Sequence, residues 1–133
     1  MKGKELLRDA KHIPHLLYVE DDQISREVVT MFLKDEFEIE LAADSSEAIS
    51  KIQKTKFDAI LMDINLCKGL GGLELAKEIR GLTSYETIPI IAVTAHAFRE
   101  DERKILKGGC SHYISKPFSR KSLLDVIHRA LND

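Results

Sequence analysis

Short apolar runs alternate five times along the chain with longer stretches in which apolar residues recur at helical spacing. In the first unit, the apolar run Leu16–Val19 is followed by Ile24, Val28 and Met31, which fall on one face of a helix. This pattern predicts a strand followed by an amphipathic helix. The remaining predicted strands are the segment around Ile39 and Leu41, Phe57–Met62, Pro89–Val93 and His112–Ile114.

Strands that are joined through helices run parallel, so the five units predict an α/β fold with helices on both faces of one sheet. We expect a (βα)5 doubly wound parallel sheet of the flavodoxin-like type, with strand order 2-1-3-4-5, over residues 14–131. Residues 1–13 are rich in charge, show only a weak helical pattern and are expected to form an N-terminal extension or linker.

The composition is typical of one globular domain. The chain has 133 residues, of which 44% are hydrophobic and 32% charged. Its net charge of −2 argues against direct binding of nucleic acid. The apolar runs are too short for a membrane span or a signal peptide, which favours a cytoplasmic location. Cys67 and Cys110 fit no metal or disulfide pattern and are expected to be reduced side chains in partly buried places.

Acidic residues follow two predicted strands that the expected order places side by side. Glu20, Asp21 and Asp22 come directly after the first strand, and Asp63 ends the third. Because the carboxyl ends of parallel strands share one edge of the sheet, we expect these carboxylates to converge. Like charges at close range raise each other's pKa or need a counter-ion, and a hard divalent cation is the usual one. Mg²⁺ is favoured over zinc, because the chain offers no cluster of His and Cys residues.

Two further polar residues follow predicted strands at the same edge. Thr94 ends the fourth strand, and Lys116 comes after the fifth. Lysine can place a positive charge against a phosphoryl group, and threonine can donate a hydrogen bond to it. Carboxylates, metal, lysine and hydroxyl together are typical of phosphoryl transfer with an aspartate nucleophile. Each residue alone has an ordinary alternative as a turn, cap or exposed side chain, and the joint placement favours a reactive site.

Two other motifs are incomplete. Gly69 and Gly71 begin a GxGxxG pattern, but residue 74 is Glu, so we do not expect a dinucleotide site. His12 and His15 have HxxH spacing without a third ligand in view, so we do not expect a metal there.

Four segments carry a resemblance to a known family. They are LLYVEDD (Leu16–Asp22), FDAILMDINL (Phe57–Leu66), IIAVTA (Ile90–Ala95) and GCSHYISKPF (Gly109–Phe118). In combination they resemble the receiver domain of two-component response regulators, the CheY-like superfamily, over nearly the whole chain.

The resemblance implies a role for each residue of the acidic pocket. Asp63 would accept a phosphoryl group from a phosphohistidine of a histidine kinase or histidine phosphotransfer protein. Asp21 would be a direct Mg²⁺ ligand, Glu20 would support the metal through water, and the backbone carbonyl of Asn65 would complete the set. Asp22 matches a variable position and is given no ligand role.

The resemblance also implies how phosphorylation would be read. Thr94 and Lys116 would bind phosphoryl oxygens, and Thr94 together with Tyr113 would form the switch. Movement of Thr94 would let Tyr113 turn inward and change a protein-binding face made of the fourth helix, fifth strand and fifth helix. The chain would then be a signalling module, with Mg²⁺-dependent self-phosphorylation and autodephosphorylation as its only reactions.

Some residues depart from the family pattern, and alternatives stay open. Cys67 stands near a position where many receivers have proline, and His96 and Asn65 would flank the phosphoryl group. One alternative is a pseudo-receiver that binds its partner without phosphorylation. The other is an aspartyl-phosphate phosphatase, for which Asn65 lacks the acidic group needed two residues after Asp63.

The protein context is equally open. A stand-alone receiver and a receiver cut from a hybrid histidine kinase both fit, and in the second case residues 1–13 are linker. No DNA-binding segment follows residue 131, so we expect the output to be a protein contact or a phosphoryl relay.

Overall fold

Five parallel strands with helices on both faces build the structure. The computed structural model describes residues 12–95 and 99–133, with side chains from residue 102 onward in the second range. The strand order is β2-β1-β3-β4-β5, which confirms the predicted doubly wound, flavodoxin-like topology. The strands are β1 (His15–Val19), β2 (Glu38–Ala42), β3 (Ala59–Asp63), β4 (Ile90–Thr94) and β5 (His112–Ser115).

The strands are joined by helices that pack on both faces of the sheet. No helix in the described part of the chain combines the length and the apolar character needed to cross a membrane. A 3-10 turn that the sequence patterns did not indicate, Thr83–Tyr85, precedes β4. The helices are α1 (Gln23–Leu33), α2 (Ser45–Lys54), α3 (Gly72–Arg80), α4 (Arg99–Lys107) and α5 (Arg120–Asn132).

Polar side chains fix where the helices begin. Oδ2 of Asp22 accepts the backbone N–H of Ser25 at 2.8 Å, and Oδ1 of Asp44 accepts that of Glu47 at 2.9 Å. Such caps satisfy donors that the first turn of a helix leaves unpaired. The side chain of Asp22 is therefore used at the start of α1.

Alternate residues of the central strands pack into two cores, one on each face of the sheet. Leu17 and Ile60 belong to the core beneath α2 and α3, whereas Leu16 and Leu61 belong to the core beneath α1 and α5. β3 and β4 are buried at every position, and β1 is buried at all but its first residue. This burial on both faces explains why these strands are apolar throughout.

The apolar runs begin before the strands do. Phe57 and Asp58 precede β3. The N–H of Phe57 donates to the hydroxyl of Tyr85 instead of to a strand, whereas the N–H of Asp58 donates to the carbonyl of His15 in β1. Pro89, which has no N–H, lies just before β4. The predicted strands Phe57–Met62 and Pro89–Val93 therefore start one or two residues too early.

The cysteines and the N-terminal histidines have separate environments. Cys67 and Cys110 are both free thiols, as expected, but Cys67 is exposed and Cys110 buried, so the prediction of partial burial is wrong for both. His12 lies 3.1 Å from Asp58, whereas His15 lies 2.9 Å from Glu40, each through Nε2. The two histidines thus have different carboxylate partners.

Candidate functional site

Polar residues from four strands meet at the carboxyl edge of the sheet. Glu20 and Asp21 follow β1, Asp63 ends β3, Thr94 ends β4 and Lys116 follows β5. These four strands are consecutive in the sheet, so their ends lie side by side. The carboxylate oxygens of the three acidic residues lie within 4.8 Å of one another. The structure thus brings together carboxylates that are far apart in the sequence.

The carboxylate of Glu20 is buried and hydrogen-bonded on both oxygens. Glu20 is 1% exposed. Its Oε1 accepts the hydroxyl of Tyr18 at 2.9 Å and Nζ of Lys116 at 3.0 Å, while Oε2 accepts the backbone N–H of Asp22 at 3.2 Å. Arg26 donates to the backbone carbonyl of Glu20 at 2.7 Å. A buried carboxylate is unfavourable without such donors, so this network fixes the position of Glu20.

Asp21 lies at the rim of the site and is tied to the loop after β3. Its Oδ2 accepts the backbone N–H of Cys67 at 3.1 Å. Slight burial of the carboxyl group raises its pKa, but hydrogen bonds from Cys67 outweigh this effect, and the pKa of Asp21 is lowered overall. A deprotonated oxygen that borders solvent is suited to contact a cation.

Asp63 lies at the centre of the site and is 3% exposed. Its Oδ1 accepts the backbone N–H of Asn65 at 3.0 Å. Burial and the neighbouring carboxyl group of Glu20 raise the pKa of Asp63 to about 7, against the opposing effects of the Asn65 N–H and the charge of Lys116. The protein therefore holds this carboxylate in surroundings that disfavour its negative charge.

The donor set fits Mg²⁺. Burial disfavours the charged form of Lys116, but the Glu20 hydrogen bond and the nearby charge of Asp63 raise the pKa of Lys116, so it stays protonated. Glu20, Asp21 and Asp63 each bring a carboxylate oxygen within 4.8 Å of the others, and such oxygens are the hard ligands that Mg²⁺ prefers. Glu20, Asp21, Asp63 and the backbone carbonyl of Asn65 are the groups that would hold the ion.

Thr94 and Tyr113 lie on neighbouring strands. Thr94 is 5% exposed, and Tyr113 is half-buried and packs against the core beneath α3. Partial burial and a hydrogen bond with the carboxylate of Glu102 on α4 raise the pKa of the Tyr113 hydroxyl. His96, which was expected to flank the phosphoryl group, lies outside the described residues.

Two residues at the site were not assigned a role by the sequence analysis. The apolar pattern predicts Tyr18 only as part of a buried strand, although Tyr18 and Glu20 are two residues apart and so project from the same face of an extended chain. Cys67 was noted only as a departure from proline. The absence of proline at this position does indicate a backbone N–H, and this N–H is the group that bonds to Asp21.

Comparison with known proteins defines the class of protein. The profile of the family described as "Response regulator receiver domain" matches residues 16–128. The chain therefore belongs to the receiver domain family of two-component signal transduction. Receiver domains bind Mg²⁺ in the active site and interact with histidine kinases or phosphotransfer proteins and with downstream effectors.

Individual relatives come from two kinds of protein. The chain is 34% identical over 119 residues to the polar-differentiation response regulator DivK of Brucella anthropi, which covers 89% of this chain and 96% of DivK. It is 38% identical over 121 residues to hybrid signal transduction histidine kinase I of Dictyostelium discoideum, covering 85% of this chain but 7% of the kinase.

Solved structures agree with this assignment. The chemotaxis response regulator CheY4 of Vibrio cholerae is similar with a TM-score of 0.86 and 32% identity, covering 90% of this chain and 99% of CheY4. The receiver domain of sensor histidine kinase PA1611 of Pseudomonas aeruginosa gives a TM-score of 0.83 and 32% identity, with coverage of 92% and 100%. That structure holds a magnesium ion in the active-site cleft.

Proposed function

We propose that this receiver accepts a phosphoryl group from a phosphohistidine onto Asp63, with Mg²⁺, and thereby changes the affinity of a protein-binding surface. The observation that carries the proposal is the placement of the buried Asp63 carboxylate within 4.8 Å of the oxygens of Glu20 and Asp21. A magnesium-containing receiver of the same fold, that of PA1611, supports it. A cytoplasmic location, which the sequence favours, is part of the proposal.

The reaction is a displacement at phosphorus. A carboxylate oxygen of Asp63 forms a bond to phosphorus, the bond between phosphorus and the imidazole nitrogen breaks, and the imidazole keeps the electron pair of that bond. Asp63 then carries an acyl phosphate. Burial of Asp63 among protein groups limits the access of water to this product.

The surrounding residues hold the group that is transferred. Glu20, Asp21 and the carbonyl of Asn65 would bind Mg²⁺, which supplies positive charge against the phosphoryl oxygens. Lys116 would offer its ammonium group, and Thr94 its hydroxyl, to the remaining oxygens. These contacts stabilise charge that develops during the displacement, which is where they lower the barrier most.

The phosphodonor would be a histidine kinase or a histidine phosphotransfer protein, whose surface must contact the rim of the site. Next to this rim, α1 exposes Ile24, Val28 and Met31, and Ile24 is 71% exposed. Ile24 and Val28 line an apolar pocket of about 250 Å³ that reaches Lys116 and Pro117. Exposed apolar side chains beside a pocket are typical of a protein-binding surface.

The output would pass through Thr94 and Tyr113. Thr94 moves towards the phosphoryl group, and Tyr113 turns into the space this opens and leaves Glu102. The face formed by α4, β5 and α5 then presents a different surface to a downstream protein. Phosphorylation is thereby converted into a change of protein affinity.

Phosphorylation with a small phosphodonor tests the proposal. Protein incubated with Mg²⁺ and acetyl phosphate is expected to gain the mass of one phosphoryl group in a base-labile form. No gain is expected when EDTA is present from the start of the incubation. Asp63→Asn is expected to abolish the gain, whereas Asp125→Asn, at an exposed position on α5, keeps it. A gain that survives Asp63→Asn, or no gain in the wild type, contradicts the proposal. Repeated turnover of a phosphate ester would favour the phosphatase alternative.

A further inference from the structure

Two donors converge on a single oxygen of Glu20. The hydroxyl of Tyr18 reaches Oε1 at 2.9 Å, and Nζ of Lys116 reaches the same atom at 3.0 Å. Tyr18 and Glu20 are buried at 0% and 1% exposure, whereas the side chain of Lys116 is 32% exposed. The tyrosine is therefore enclosed, and the lysine has room to move.

The position of the Tyr18 hydroxyl is determined by packing. Its ring belongs to the core between the sheet and helices α1 and α5, where it lies with Val29 and Leu33. The strand places Tyr18 and Glu20 on the same face, so the hydroxyl meets the carboxylate without a turn of the backbone. Lys116, in contrast, reaches Glu20 from the segment after β5 through a flexible four-carbon stem.

In the proposed reaction, Lys116 has to exchange partners. Its ammonium group pairs with Glu20 before phosphorylation and with a phosphoryl oxygen on Asp63 afterwards. When Lys116 leaves, Oε1 of Glu20 loses one of its two donors. A buried carboxylate oxygen with no donor is strongly unfavourable, so the exchange would be opposed if Lys116 were the sole partner of that oxygen.

We propose that Tyr18 is a positioning residue for phosphoryl transfer, whose hydroxyl keeps the Glu20 carboxylate bonded and oriented while Lys116 moves to the phosphoryl group. This inference rests on the proposed function and adds to it a residue that touches neither the phosphoryl group nor the metal.

Phosphorylation kinetics form the first part of the test. With acetyl phosphate and saturating Mg²⁺, Tyr18→Phe is expected to lower the maximal rate of phosphorylation about fivefold or more, because the departure of Lys116 then leaves Oε1 without a side-chain donor from the described residues. The concentration of acetyl phosphate that gives half the maximal rate is expected to change less, since neither Tyr18 nor Glu20 contacts the donor in this scheme.

Tyr85→Phe is the matched control. Tyr85 is also buried, at 3% exposure, and its hydroxyl bonds to the backbone of Thr55 and Phe57, away from the site. Loss of that hydroxyl is expected to change the maximal rate by less than about twofold.

A thermodynamic cycle provides the second part, without any phosphodonor or metal. In a Lys116→Met background, Tyr18 is the remaining side-chain donor to Oε1 among the contacts of the described residues. Tyr18→Phe is therefore expected to lower Tm by about 5 °C more in that background than in the wild type. Tyr85→Phe is expected to lower Tm equally in both backgrounds.

The outcomes separate the two proposals. A wild type that is never phosphorylated overturns the proposed function and this inference with it. A phosphorylated wild type, together with a Tyr18→Phe variant of unchanged maximal rate or with equal Tm losses in the two backgrounds, overturns the inference alone.

Discussion

The backbone N–H of Cys67 donates to Oδ2 of Asp21 at 3.1 Å and so joins two loops that are 46 residues apart in the sequence. One loop follows β1, and the other follows β3 beyond Asp63. The hydrogen bond restricts rotation of the Asp21 carboxylate. A side chain restricted in this way loses less entropy when it binds a cation.

Replacing Cys67 tests the importance of this backbone contact. Cys67→Pro removes the N–H and is expected to weaken Mg²⁺ binding about threefold to tenfold, which corresponds to one hydrogen bond. Cys67→Ala keeps the N–H and is expected to bind Mg²⁺ within about twofold of the wild type. Isothermal titration calorimetry measures both values. Equal affinities for the two variants would show that the backbone contact does not position Asp21.

The raised pKa of Asp63 predicts how stability depends on pH in the absence of Mg²⁺. The folded protein binds the proton of this carboxyl group more tightly than the unfolded chain does. The free energy of unfolding is therefore expected to fall as the pH rises from about 4 to about 7, the window between the two pKa values. Asp63→Asn removes this dependence and is expected to stabilise the metal-free protein by roughly 1–3 kcal/mol at pH 8.

Urea unfolding with EDTA at pH 4.5 and pH 8 measures the effect, with Asp125→Asn as a control at an exposed carboxylate. The stabilisation by Asp63→Asn should be larger at pH 8. Saturating Mg²⁺ should stabilise the wild type more than Asp63→Asn, because the ion binds the folded state through this group. If the wild type and Asp63→Asn differ in the free energy of unfolding by the same amount at both pH values, this would falsify the raised pKa of Asp63.

The fold could be predicted from the sequence because its determinants are local. Leu16–Val19 and the runs in β3 and β4 are apolar at successive positions, which is what a strand buried on both faces requires. The exact starts of the strands depended on distant partners. Phe57 is apolar like Ala59 and Ile60, yet its N–H bonds to the hydroxyl of Tyr85 instead of entering the sheet.

The site was predictable only to the level of which residues meet. Carboxyl ends of neighbouring parallel strands must lie together, so the topology alone brought Asp21 close to Asp63. The hydrogen bonds that hold Glu20 depend on distances in three dimensions. Lys116 lies ninety-six residues after Glu20, so its approach to the oxygen that Tyr18 also contacts cannot be predicted from spacing along the chain.

The exposed apolar residues of α1 predict a difference between protein and small-molecule phosphodonors. Ile24→Ser removes apolar surface beside the pocket and is expected to slow transfer from a histidine-phosphorylated protein about fivefold or more. Acetyl phosphate needs no such surface, so its rate should stay within about twofold of the wild type. Ile13→Ser, at an exposed residue before β1 and so at the opposite end of that strand, is the control. Equal slowing with both donors would contradict a docking role for α1.

The close approach of α3 to the end of β3 predicts that a side chain at Gly72 lowers both the stability and the phosphorylation rate. A Cβ at this position would overlap the carbonyl oxygen of Asp63 and the Cα of Ile64, which are backbone atoms that cannot turn aside. We expect Gly72→Ala to lower the free energy of unfolding by about 2–4 kcal/mol, because the helix start or the strand end must shift. The same shift moves Asp63, so phosphorylation by acetyl phosphate should slow about tenfold or more.

Gly71 is the matched control for this substitution. A Cβ there would lie 3.2 Å from Oε1 of Glu74, at the flexible end of a side chain, and the backbone has an ordinary φ of −67°. Gly71→Ala is therefore expected to cost less than about 1 kcal/mol, mainly through the poorer helix cap. Urea unfolding and phosphorylation rates measured on both variants give the comparison. Similar losses of unfolding free energy for Gly71→Ala and Gly72→Ala would mean that the contact with the backbone of Asp63 is not what destabilises Gly72→Ala.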